Sequence, residues 1–89
     1  MKIDLTGKKA LIGGSSKGIG LGIANELANS GASVCLMARN ESRLKEIVAQ
    51  LPNSSNHSYL VVDFSKFEEY KIKIEEYTKN NQVDILVNN

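Results

Sequence analysis

Four short apolar runs punctuate the chain: Lys9-Ala10-Leu11-Ile12-Gly13, Ser33-Val34-Cys35-Leu36-Met37-Ala38, Tyr59-Leu60-Val61-Val62 and Val83-Asp84-Ile85-Leu86-Val87. They lack the in-and-out polar alternation of a half-solvated strand. Runs of this kind read as strands buried on both faces, which is the environment of a parallel sheet. The stretches between them have a helical period instead. Ile19, Ile23 and Leu27 make one apolar stripe in a helix expected from Gly18 to Ser30, and Gly31 is placed to end it. A second helix is expected from Glu41 to Gln50, with Leu44, Ile47 and Val48 inward and Asn40 as its cap. Pro52 prevents its continuation. Ser65-Lys66-Phe67-Glu68 has the spacing of a capping box, and the helix it opens carries Phe67, Tyr70, Ile74 and Tyr77 on one side.

Strands joined through helices of this length pair in parallel, and right-handed crossovers fix the geometry. If the chain steps outward from the first strand to the second and third, then returns to pair the fourth beside the first, the order is 3-2-1-4. The expected fold class is therefore α/β: a Rossmann-type doubly wound parallel sheet, within a single domain covering residues 1–89. Ligands of such sheets bind beyond the carboxyl ends of the strands, at the crevice between strands one and four.

The segment Gly14-Ser15-Ser16-Lys17-Gly18-Ile19-Gly20 follows the first strand and opens the first helix. A helix N-terminus exposes unpaired N–H groups and a partial positive charge, so it attracts a diphosphate. Glycine lets the backbone come close to the phosphate. Ser15 and Ser16 add hydroxyl donors and Lys17 adds a cation. The bland alternative is a tight strand-to-helix turn. Four glycines in eight residues (Gly13, Gly14, Gly18, Gly20) weigh against it.

The spacing, Gly-x-x-x-Gly-x-Gly, differs from the commoner Gly-x-Gly-x-x-Gly. Here the chain resembles the short-chain dehydrogenase/reductase family, whose keto-reductase members carry Gly-Ala-Ser-Arg-Gly-Ile-Gly at this loop. Val62-Asp63-Phe64-Ser65 is similar to the family's segment after the third strand. Asp84-Ile85-Leu86-Val87-Asn88-Asn89 is similar to its Asp-Ile-Leu-Val-Asn-Asn-Ala-Gly. Gly13 departs from the pattern, since the family usually has Thr there and gains a hydroxyl tie behind the loop.

Cofactor choice can be read from the residues themselves. About 20 residues beyond the glycine loop, NAD-binding folds place an acid on the ribose 2′-OH. Counting from Gly18, that place is Ala38, followed by Arg39. A guanidinium can grip a 2′-phosphate that a carboxylate would repel, and Lys17 can reach the same group. Together they point to NADP. The alternative is that Arg39 decorates a strand end and pairs with Glu41. The resemblance adds roles: Gly14, Ser16, Gly18, Ile19 and Gly20 around the diphosphate, Asp63 and Phe64 at the adenine, and Asn89 along the nicotinamide ribose. Asn88 would tie neighbouring strands. Asp63 has a plainer reading as a strand-end turn residue.

The family's proton donor, Tyr-x-x-x-Lys, is not in this chain. Tyr59 is followed at the fourth place by Asp63, Tyr70 by Ile74 and Tyr77 by Asn81. No catalytic residue is assigned. Cys35, the only cysteine, reads as a small buried hydrophobe. His57, the only histidine, lies among Asn53, Ser54, Ser55, Asn56 and Ser58 and reads as exposed loop. No metal site is expected.

A net charge of +1 and a charged fraction of 24% give no basic stripe for nucleic acid. No apolar run reaches a membrane span, and the N-terminus lacks the apolar core of a secretion signal, so a cytoplasmic protein is expected. The fourth strand, apolar yet at an edge, and the single helix for one sheet face suggest a part of something longer, which the resemblance implies is the cofactor half of a reductase. The resemblance implies reduction of a carbonyl, a 3-oxoacyl thioester or small ketone, by a homo-oligomeric enzyme. The competing reading is a short, non-catalytic nucleotide-binding module. A Rossmann-like methyltransferase is disfavoured by the missing acid near Ala38.

Overall fold

The structure is a computed structural model that describes residues 3–14, 18–53 and 56–88, the side chains of Ile19 and Asn88 excepted. Its elements run β1 (Lys9–Gly13), α1 (Gly18–Asn29), β2 (Ser33–Ala38), α2 (Glu41–Gln50), β3 (Ser58–Val61), α3 (Phe67–Asn80) and β4 (Ile85–Asn88). The sheet is parallel throughout, in the order β3-β2-β1-β4, as the alternation of runs requires. Leu11 stands between Cys35 and Leu86 in register, so all four carboxyl ends open at one edge.

Four boundaries differ from the sequence expectation, each for a local reason. β4 starts at Ile85 instead of Val83. Asp84 occupies the preceding position with its side chain: Lys9 N–H donates to Asp84 Oδ2 at 2.9 Å while Asp84 N–H donates to the Lys9 carbonyl at 2.8 Å. β3 begins one residue early, at Ser58, although Val62 N–H still reaches the Ala38 carbonyl at 2.9 Å. α1 ends at Asn29. Its exit is a Schellman turn, with Gly31 N–H to Ala28 and Ala32 N–H to Leu27. Gly31 has φ +101°, and a Cβ there would stand 2.8 Å from Thr6 Oγ1, so glycine is required twice over. The fourth correction concerns α3. Lys66, not Ser65, stands at the cap position, without a side-chain cap bond. The Ser65 hydroxyl is donated to the Asp63 carboxylate at 2.6 Å, a charge-assisted bond stronger than a neutral cap. Asn40 does cap α2, accepting from Arg43 N–H at 3.1 Å.

The two sheet faces are packed unequally. On one, α1 and α2 cover Ala10, Ile12, Val34, Leu36 and Ala38 with Ala24, Ala28, Leu44 and Ile47. Ala24 and Ala28 have no exposed surface, so α1 lies close on the strands. On the other face, Tyr70, Ile74 and Tyr77 of α3 pack on Leu11, Cys35, Met37 and Val62. No residue of α3 is fully buried. Leu86 of β4 projects on this second face, opposite Leu11 in register, and is 67% exposed. The expectation that β4 is buried on both faces thus fails on this one. The outer edge of β3 is occupied differently: Lys73 Nζ donates to the Val61 carbonyl at 2.6 Å.

Cys35 is buried, as expected. Burial pushes its thiol up, and Ser58 and Tyr77 hydrogen-bond beside it. Burial also pushes the Tyr77 phenol up to about 12. His57 is not an exposed loop residue. Its half-buried ring accepts from Val34 N–H through Nδ1 at 3.0 Å and faces the Pro52 carbonyl through Nε2 at 2.5 Å. This pairing requires the neutral Nε2–H tautomer. His57 therefore clamps the start of β2 to the α2–β3 connection.

Candidate functional site

Three strand ends meet in a cleft of about 310 Å³ lined by Gly14, Ala38, Arg39, Val62, Asp63, Phe64 and Ser65. Each is there because its strand stops there. Gly14 N–H donates to the Met37 carbonyl at 3.1 Å, which holds the exit of β1 against β2. Gly14 and Gly18, the residues that bracket the loop, have φ of 67° and 66°. A Cβ on Gly18 would meet nothing within 4 Å among the described residues, so on that side the backbone at the head of α1 is open to an approaching group. The first turn of α1 carries no acidic residue to compete with an anion. Gly20 is buried in that turn.

Arg39 follows β2 directly and is exposed. Its expected competitor, Glu41, is engaged elsewhere: Tyr59 OH donates to Glu41 Oε2 at 2.9 Å. The ion pair found among the described residues is Arg43–Glu46, at 3.4 Å, so Arg39 has no carboxylate partner within ion-pair distance there. Ala38, where an acid would face a ribose hydroxyl, is nearly buried and apolar.

Asp63 stands at the end of the third strand, half-buried. Its Oδ1 accepts from Ser65 Oγ at 2.6 Å and from Ser65 N–H at 3.0 Å. These bonds, with the nearby Arg39 and Lys66 charges, hold its carboxyl below the usual range. Asp63 is thus a turn residue as well as a cleft residue, and its Oδ2 has no partner among the described residues. The Phe64 ring packs on Tyr70, centroids 5.3 Å apart, and presents 41% of its surface. The sequence therefore brings Gly14, Arg39, Asp63 and Phe64 into one cleft, with Gly18 and Gly20 at the adjoining helix head. Ser16, Lys17 and Asn89 lie outside the described residues, as does the side chain of Ile19. Sequence reading missed two polar contacts: that of Ser65 with Asp63, inside the cleft, and that of Tyr59 with Glu41, outside its lining.

The tyrosines are spread apart. Tyr59 is bonded to Glu41, Tyr70 sits between Phe64 and Phe67, and Tyr77 neighbours Cys35. None of them lines the cleft. Among the described residues no group of three or more His, Cys, Asp or Glu side chains could hold a metal ion, and no helix is long and apolar enough to cross a membrane.

A family model described as short chain dehydrogenase matches residues 8–89. The chain belongs to the short-chain dehydrogenase family. Relatives within it are similar over nearly all of this chain. An uncharacterized oxidoreductase of Schizosaccharomyces pombe is 42% identical over 90 residues, covering 97% of this chain and 26% of that protein. The 3-oxoacyl-(acyl-carrier-protein) reductase FabG of Chlamydia pneumoniae is 37% identical, covering 100% and 37%. The crystal structure of L-sorbose reductase from Gluconobacter frateurii, complexed with NADPH and L-sorbose, is 38% identical with a TM-score of 0.81, covering 100% of this chain and 35% of that one. The chain thus spans about a quarter to a little over a third of these short-chain dehydrogenases.

Proposed function

We propose that residues 1–89 are the NADPH-holding part of a larger carbonyl reductase domain. The observation that carries this reading is Arg39: an exposed guanidinium at the end of β2, with no carboxylate within ion-pair distance among the described residues, beside an apolar Ala38. A bidentate charge-assisted pair with a 2′-phosphate is what such a group offers. The NADPH held by the 38%-identical L-sorbose reductase supports the same cofactor.

The residues fit the group. The open backbone at Gly18 and the positive φ of Gly14 and Gly18 suit the diphosphate, with Ser16, Lys17, Ile19 and Gly20 assigned to the same loop. Oδ2 of Asp63 can accept from an adenine amino group, and the exposed part of Phe64 can lie beside the ring. Asn89 is assigned to the nicotinamide ribose. When bound, the cofactor would supply a hydride for a carbonyl carbon. This chain's own residues bind and orient; none of its three tyrosines is among the described residues that line the cleft, and no proton donor is assigned here. The substrate class proposed is a 3-oxoacyl thioester or a small ketone, in keeping with the names of the relatives.

Fluorescence titration with NADPH and NADH tests the reading. NADPH is expected to bind at least tenfold more tightly, the scale of one charge-assisted pair. Equal affinity would sink it.

A further inference from the structure

We infer that Tyr59 is a positioning residue for cofactor choice: its hydroxyl holds the Glu41 carboxylate against β3 and so leaves Arg39 unpaired for the 2′-phosphate. The inference rests on the NADPH reading and explains how this chain tolerates an acid two residues after its phosphate-binding cation.

Glu41 opens α2, immediately after the Asn40 cap, and its side chain is exposed. Left to itself, a flexible carboxylate at this place has two harmful options. It can pair with Arg39 and neutralise it, or it can stand beside the strand end as an uncompensated negative charge. A carboxylate at the end of the second strand is also what accepts the ribose 2′-OH of NAD. Either option moves the site away from a phosphate and toward a hydroxyl. The structure shows neither. Glu41 Oε2 accepts from Tyr59 OH at 2.9 Å, a bond that spans from α2 to β3.

The tyrosine is well placed to do this. It pairs with Leu36 in the β2–β3 register, and its ring packs on the cluster under α1 and α2. The hydroxyl therefore comes from a fixed point on the sheet, while Glu41 supplies the flexible partner. Lys45, one turn along α2, is the other cation that a released Glu41 could reach. Release would divide between Lys45 and Arg39, so the expected effect is that of an exposed ion pair, roughly two- to fivefold.

The test measures NADPH and NADH dissociation constants on the full chain and on three variants. Tyr59→Phe is expected to weaken NADPH by about threefold and to leave NADH unchanged or slightly tighter. Glu41→Gln added to Tyr59→Phe is expected to restore the NADPH-to-NADH ratio, because the carboxylate charge is then gone. Glu41→Asp, which keeps the charge and the tyrosine but is too short for the bond, is expected to repeat the loss and stands in should Tyr59→Phe fold poorly. A ratio unmoved by Tyr59→Phe or by Glu41→Asp overturns the inference, as does a loss that Glu41→Gln does not restore. Equal affinity of the unmodified chain for the two cofactors would instead overturn the NADPH reading, and this inference with it, before any variant is compared.

Discussion

The two ends of the sheet are built on opposite principles. At the amino end, backbone groups are tied by side chains: Asp84 holds Lys9 and His57 holds Val34. At the carboxyl end, the polar groups of the cleft keep capacity in reserve. Arg39 has no carboxylate partner among the described residues, and Asp63 spends one oxygen and keeps the other. One end spends its hydrogen bonds on the fold; the other leaves polar groups unengaged among the described residues. Variants at the two ends should therefore separate stability from affinity.

The largest effect is expected at the carboxyl end. On the proposed reading, Arg39→Asp replaces the cation assigned to the 2′-phosphate with a repelling charge and should weaken NADPH by on the order of a hundredfold, with NADH gaining relatively. Thermal unfolding of the same variant should be unchanged, since an exposed side chain without an ion partner contributes little to the fold. A large drop in melting temperature would break the division of labour.

The mirror experiment is His57→Ala. It leaves Val34 N–H, on a residue only 1% exposed, without its acceptor. The expected cost is about 1–3 kcal/mol of stability, a fall of several degrees in melting temperature, with unchanged nucleotide affinity. A change in affinity at constant melting temperature would reverse the comparison.

Acid offers a smaller, graded test. Hydrogen bonds, chiefly from Lys9 N–H, hold the Asp84 carboxyl below its ordinary value of 3.8, and Ser65 does the same for Asp63. A carboxylate lowered by folding stabilises the native state above its unfolded value, and this contribution is lost as pH falls through the folded value. Urea midpoints should therefore decline below about pH 3.8. Asp84→Asn should start lower at pH 7 and decline less on acidification. Parallel acid limbs for the two proteins would show that Asp84 does not anchor the amino end.

The smallest effect is expected from Lys73→Met. Val61 remains reachable by water, so denaturant midpoints should move by less than about 0.5 kcal/mol. Self-association by gel filtration should rise instead, and its absence would show that the lysine does not protect the β3 edge.

The fold was legible because unbroken apolar runs and helical periods are local signals, and chirality then leaves few topologies. The meeting of Gly14, Arg39, Asp63 and Phe64 in one candidate cleft was legible for a related reason: all sit just past a strand, and strand ends converge in a parallel sheet. Pairings between elements were not. His57 is 23 residues from its donor Val34. Its polar neighbours describe the loop it starts from, and its ring reaches back to the sheet. Tyr59 and Glu41 are 18 apart and read separately in the sequence, one as a strand residue that fails the proton-donor pattern and the other as the alternative partner for Arg39. Ser65 has a cap spacing, but Asp63 is two residues away and ionised, and the charged acceptor takes its hydroxyl.

The lysine across the β3 edge has one more consequence. A sheet grows by recruiting a neighbour to an unclaimed row of backbone groups, and here the two margins are unequal. The β3 margin carries a cation lodged on its carbonyl, whereas β4 pairs with β1 alone among the described strands and shows Leu86 to solvent. The sheet is thus a template with a direction: among the described strands the β4 margin is the one left open to a neighbour, and the cleft beside Arg39 lies toward the margin that Lys73 occupies.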